Sequence, residues 1–145
     1  MSKKYKVILI SGGFDPVHKG HIQCIQNARE LADEVWIGLN NDSWLRRKKG
    51  KSFMPCDERI KIIEELKCVD YVVKSIDLDR TVCKTLSILE PKPTYFCNGG
   101  DRVAGQVPSV EEDVCKGWGI DLVWGLGDKV QSSSWLLEKY NNLAV

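Results

Sequence analysis

The chain has 145 residues, 43% of them hydrophobic, with 21 Lys and Arg set against 20 Asp and Glu, a net charge of +1 and a pI near 7.6. That length predicts one domain, residues 1–145, with a buried core, and near-neutrality removes the electrostatic case for a nucleic acid or a membrane surface as partner. The basic start at residues 1–6 is followed by only one strand's worth of apolar residues, so neither a signal peptide nor a membrane anchor is expected there, and a cytoplasmic protein is the expectation.

Residues 7–10, Val-Ile-Leu-Ile, predict a buried strand, and Ile22, Ile25, Ala28 and Leu31 have helical spacing. Between them lies a glycine-containing turn, residues 11–21, that holds both histidines of the chain, His18 and His21. A strand feeding a helix through such a turn presents backbone N–H groups and a helix N-terminus to phosphate. Residues 34–39 predict a second strand, completing a βαβ unit whose parallel strands bring both following turns to one crevice. Residues 44–55 carry five positive side chains (Arg46, Arg47, Lys48, Lys49 and Lys51) and predict a mobile basic loop facing that crevice.

A helix opens at Pro55 with Asp57 and Glu58 in its first turn, complementing its dipole. Residues 70–74 predict a third strand, and Asp77 or Asp79 is expected to cap a helix carrying Val82, Leu86 and Leu89, which Pro91 and Pro93 end. Residues 94–97 predict a fourth strand running into a second glycine turn at 98–102. A short helix at 110–115, a fifth strand at 121–124 and a helix opening at the Ser132, Ser133, Ser134 cluster complete the alternation. The fold class is α/β: a Rossmann-like, doubly wound, parallel five-stranded sheet in a single domain. Cys24, Cys56, Cys68, Cys83, Cys97 and Cys115 lie more than ten residues apart without a CxxC pair, so free, packed thiols are expected.

His18 and His21 would share one side of the first helical turn. A structural zinc lacks further ligands around them, leaving phosphate chemistry as the better reading. Neither GxGxxG nor GxxxxGK[ST] occurs, which removes support for a hydride-transferring enzyme and for a P-loop NTPase.

Residues 13–21, Gly-Phe-Asp-Pro-Val-His-Lys-Gly-His, resemble the GxFDxxHxGH signature of the HxGH nucleotidyltransferase superfamily, which includes cytidylyltransferases and adenylyltransferases. The resemblance covers nearly the whole chain through the Lys48-Lys49-Gly50-Lys51 loop, the Glu58-Arg59 pair, the Asn98-Gly99-Gly100-Asp101 turn and the serine cluster. Among members the chain is most similar to the adenylyltransferase domain that forms ADP-heptose from heptose 1-phosphate, and next to glycerol-3-phosphate cytidylyltransferase. The resemblance implies transfer of AMP from ATP, with Mg²⁺, to a small phosphorylated sugar, with CTP and a polyol phosphate as the alternative. A nucleotide-binding homologue without turnover is a second class of reading. A class I aminoacyl-tRNA synthetase fragment would need a KMSKS-type loop that the chain does not show.

In such a reaction the acceptor's phosphate oxygen attacks the α-phosphorus in line, which needs positioned donors and positive charge more than a nucleophile. The resemblance implies that His18, His21, Lys49 and Lys51 are the catalytic residues. It implies nucleotide contacts at Gly12, Gly13, Phe14, Asn98, Gly99, Gly100, Asp101, Ser132, Ser133 and Ser134, and acceptor contacts at Asp15, Asn41 and Arg59. Mg²⁺ is expected to bind through the phosphates, without protein ligands, and the relatives imply a homodimer. Trp135, Leu136 and Leu137 stand where several members have an arginine after the serines, which shifts pyrophosphate binding onto the lysines and Arg59. Phe53 stands near the place of an arginine in the heptose enzymes.

Overall fold

A computed structural model of the chain describes residues 5–77, 82–98, 109–124, 126 and 133–143. Its elements in order are β1 (Val7–Gly12), α1 (Lys19–Arg29), β2 (Glu34–Leu39), α2 (Asp42–Lys49), α3 (Cys56–Glu64), β3 (Tyr71–Lys74), α4 (Cys83–Ile88), β4 (Tyr95–Asn98), α5 (Ser109–Gly117), β5 (Asp121–Leu122) and α6 (Ser133–Leu143). The five strands form one sheet in the order β3-β2-β1-β4-β5, and every pairing is parallel. The Rossmann-like expectation holds, with one more helix than the sequence pattern predicts.

Side chains on β1 alternate between two cores, as the two-residue period of a strand requires. Ile8 and Ile10 join Ile25 and Ala28 of α1 and Ile63 of α3 on one face. Val7 and Leu9 join Leu86 of α4 and Cys115 of α5 on the other. β1 is therefore buried on both faces at the middle of the sheet, which explains its uninterrupted β-branched and leucine sequence. The chain runs from β1 toward β2 and β3 on one side and reaches β4 and β5 on the other, so the switch point lies between the carboxyl ends of β1 and β4. Open parallel sheets bind ligands there.

The extra helix corrects the reading of residues 44–55 as a mobile loop. Asn41 Oδ1 accepts a hydrogen bond from Trp44 N at 2.7 Å, capping α2, and Trp44 and Leu45 are buried beneath it. Arg46 and Arg47 are exposed, so charged residues that suggested a loop lie on the solvated side of a helix. Gly50 ends α2 at φ 86°, a left-handed position that glycine takes without strain, and its N–H returns to Arg46 O.

Asp77 does cap α4, although it sits several residues ahead of the helix. Its carboxylate accepts from Lys84 N and Thr85 N at 2.7 and 2.9 Å, and from Thr85 Oγ1 at 2.6 Å. Asp79 lies outside the described residues. None of the six cysteines forms a disulfide, in line with the expected thiols.

Candidate active site

The turn after β1 carries Gly13 to His18 across the carboxyl edge of the sheet and into α1. His18 occupies the N-cap position with extended backbone, at φ −147° and ψ 177°. Its Nδ1 accepts from Gly20 N at 3.1 Å, while His21 Nδ1 accepts from His18 N at 3.1 Å. This is a capping box built from two histidines in place of the usual Ser or Thr and Glu. A ring nitrogen that accepts from a backbone N–H carries no proton, so in each neutral ring the proton sits on Nε2. The backbone thus fixes both tautomers, and each ring presents a donor. The two rings stack with centroids 3.8 Å apart, and Phe14 lies 4.4 Å from His21.

Phe14 adopts φ 51°, in the left-handed region, and this aims its ring at His21. The neighbouring glycines make room for side chains of the protein itself. A β-carbon on Gly12 would lie 3.0 Å from Phe14 Cε2, and one on Gly13 would lie 2.9 Å from Leu45 Cδ2 of α2.

The three expected acceptor contacts, Asp15, Asn41 and Arg59, have their polar atoms engaged inside the protein. Asp15 is buried, and its two carboxylate oxygens accept from Phe53 N at 2.5 Å and Met54 N at 2.6 Å. Asn41, besides capping α2, donates through Nδ2 to Ser75 O at 3.0 Å and Asp77 O at 3.2 Å. Arg59 has no exposed side-chain surface. Its guanidinium donates to Met54 O, Gly13 O, Asn40 O and Asp42 Oδ1, at 2.9, 2.8, 2.7 and 2.8 Å. Arg59 thereby ties together the β1 turn, the segment from the end of β2 to the start of α2, and the approach to α3.

Asp42 completes this tie. Burial pulls its carboxyl upward, but hydrogen bonds from Cys56 N, Arg59 and Ser52, with the Arg59 charge, outweigh it and hold the group below the usual carboxylate range. At the carboxyl end of β4, Asn98 Nδ2 donates to both oxygens of the buried Glu111, at 2.7 and 3.1 Å. Lys51 is exposed just past the end of α2. Gly99, Gly100, Asp101 and Ser132 lie outside the described residues, as do the side chains of Lys49, Ser133 and Ser134.

Sequence reasoning missed Asp42 and Asn40. The first needed an acidic residue in a helix's opening turn to be recognised as the partner of a distant arginine. The Oδ1 of Asn40 is buried without a hydrogen bond, alone in this among the described side chains. Its position at the end of a strand that opens on the crevice was the available signal.

Two histidines capping the helix that follows the central strand, at the switch point of a parallel sheet, are what this fold holds at its ligand-binding edge. The comparisons place it further: the chain belongs to the cytidylyltransferase-like family, whose family model matches residues 9–130. It is 33% identical over 141 residues to the bifunctional protein HldE of Citrifermentans bemidjiense, covering 95% of this chain and 28% of that protein. With the bifunctional protein HldE of Syntrophotalea carbinolica the identity is 37% over 126 residues, covering 82% and 24%. The chain thus spans about a quarter of the length of these relatives. Among solved structures it resembles a lipopolysaccharide core biosynthesis protein from Thermoplasma volcanium, at TM-score 0.69 and 25% identity, covering 83% of this chain and 96% of that one. A bifunctional NMN adenylyltransferase/ADP ribose pyrophosphatase from Francisella tularensis, at TM-score 0.66 and 16% identity over 96% of this chain and 43% of its own, shares the fold.

Proposed function

We propose that the chain moves AMP from ATP onto the phosphate of a small phosphorylated sugar of the heptose 1-phosphate kind. The acceptor's phosphate oxygen forms the new bond to the α-phosphorus, and the bond to the bridging oxygen breaks as pyrophosphate leaves with its electron pair. The reading rests on the two-histidine cap at the carboxyl edge of the sheet, whose Nε2–H groups would donate to phosphate oxygens. Donors held in place in this way need no reorganisation as charge shifts onto the leaving group. Lys51, with Lys49, would supply positive charge to the phosphates. Similarity to the HldE proteins, together with the motif resemblance to ADP-heptose-forming domains, supports the sugar phosphate and ATP. The cytidylyltransferase-like family match is what keeps CTP with glycerol 3-phosphate or another polyol phosphate as the alternative.

Mg²⁺ fits this site as an ion carried by the triphosphate. Both oxygens of Asp15 are committed to backbone amides, and among the described residues no three His, Cys, Asp or Glu side chains converge as a ligand set. When bound, such an ion offsets phosphate charge and orients the leaving group. The chain's own residues hold the donors and close the crevice around them.

His18→Asn and His21→Gln test the reading, because each substitute can still accept the capping hydrogen bond while removing the Nε2 donor. We expect pyrophosphate release, assayed with ATP and CTP against sugar and polyol phosphates, to fall by roughly 10²–10³-fold in each variant with the fold retained. Undiminished rates would remove the histidines from the chemistry. Nucleotide binding without pyrophosphate from any pair would leave a binding homologue.

A further inference from the structure

Residues 50–55 link α2 to α3 and belong to no helix or strand, so their amides have no ladder to join. Asp15 of the histidine turn takes two of them, Phe53 N on Oδ2 at 2.5 Å and Met54 N on Oδ1 at 2.6 Å. An aspartate in a turn ordinarily bonds the backbone of that same turn, two residues on. Asp15 instead reaches 38 and 39 residues along the chain, from a position that is 1% exposed. Burying a carboxylate is costly unless hydrogen bonds compensate, and here the compensating bonds join two distant segments.

Other side chains hold the same link. Arg59 Nε donates to Met54 O at 2.9 Å, and Asp42 accepts from the Ser52 hydroxyl and from Cys56 N. Lys51 opens this pinned stretch, exposed and in no ion pair among the described residues. It stands two residues before Phe53, and His18 stands three after Asp15. With neighbouring Cα atoms roughly 3.8 Å apart, Lys51 Cα lies within about 8 Å of Phe53 Cα, and His18 Cα within about 11 Å of Asp15 Cα. Asp15 and Lys51 also line one cleft. A lysine on a free loop must be ordered at every turnover, whereas one on a pinned segment is ordered in advance.

We propose that Asp15 is a positioning residue for Lys51: it pins residues 51–54 to the histidine turn, so that the lysine ammonium and the histidine N–H donors address one triphosphate from a common frame. A carboxylate suits this task because both of its oxygens accept and neither donates. The inference rests on the nucleotidyl-transfer reading and adds to it the residue that sets the lysine against the histidines.

The test is a double-mutant cycle on the full chain with Asp15→Asn, Lys51→Ala and the two combined. Asn offers one oxygen and turns an N–H₂ group toward the other amide, so half of the clamp is lost. Hydrogen exchange read by mass spectrometry should show the Phe53 and Met54 amides exchanging faster in Asp15→Asn. Pyrophosphate release should fall by roughly tenfold or more in each single variant, and the double variant should be no slower than Lys51→Ala, as expected of residues that act through one another. Phe53→Pro attacks the clamp from its other end by deleting one N–H at an exposed residue. It should show the same loss and the same dependence on Lys51, and it decides the outcome if Asp15→Asn does not fold. Unchanged exchange, an undiminished rate in either single variant, or losses that multiply in the double variant overturn the proposal. If the wild-type chain releases no pyrophosphate from any pair, the transfer reading falls and the cycle is read on the affinity of a non-hydrolysable ATP analogue. Coupled losses there uphold the positioning of Lys51, and multiplied losses overturn it.

Discussion

Arg59 shows how one buried side chain defines an enclosure. Its guanidinium meets three backbone carbonyls and a carboxylate drawn from three separate stretches of chain, with no surface left to solvent. A planar fork of five donors suits such a junction, and a lysine ammonium with three donors on a flexible stem does not. Replacing Arg59 by Leu leaves the Gly13, Asn40 and Met54 carbonyls and Asp42 without their partner, a loss of about 3–5 kcal/mol by analogy with broken buried pairs. Urea denaturation should read that loss directly. Arg59→Lys keeps the charge and should recover only part of the stability. If Arg59 bound pyrophosphate instead, the Lys variant would unfold like wild type and show only a raised KM for the triphosphate, which separates a strut from a contact.

At the scale of elements, what was legible in the sequence was local, and what was hidden was carried by distant partners. The β1 strand, the histidine turn and α1 are contiguous, so glycine, β-branched and helical signals met within about two dozen residues. The helix α2 was obscured because its five-cation neighbourhood reads as solvated loop, whereas Asn41, Trp44 and Leu45 anchor it through a cap and two buried side chains. Asp15, Asn41 and Arg59 stood out in the sequence as acceptor contacts, whereas the partners they have in the fold are groups of other segments that no spacing rule reveals. Asp77 lies between these extremes: a capping residue was legible, and its reach across a gap to Lys84 and Thr85 was not. Its carboxylate satisfies two N–H groups of the first turn of α4 and the buried Thr85 hydroxyl. We expect Asp77→Ala to cost about 2 kcal/mol, at the upper end for a lost cap. Thermal unfolding should then fall by roughly 4–8 °C for a chain of this length, while Asp77→Asn should restore part of the difference.

Across the whole molecule, β1 divides two cores whose cysteines report on them separately. Cys24, Cys56 and Cys97 lie in the layer beneath α1 and α3, and Cys115 lies in the layer beneath α4 and α5. Burial pushes the Cys56 thiol up, and burial with the nearby Glu111 charge pushes Cys115 up to about 12. Alkylation requires thiolate and access, so these four should stay unlabelled in the native protein while the half-buried Cys68 and Cys83 react. Because Val7 and Leu9 face one layer and Ile8 and Ile10 the other, neither core survives loss of the central strand. The two layers should therefore open as one cooperative unit, as single domains of this size usually do. Labelling across a urea series, read by mass spectrometry, should show Cys24, Cys56, Cys97 and Cys115 becoming reactive at the same denaturant concentration. Exposure of Cys115 well before the other three would mean that the α4 and α5 layer, with the β4 and β5 edge it covers, unfolds on its own. The Asn98 side of the crevice would then be set by a less stable unit than the histidine side.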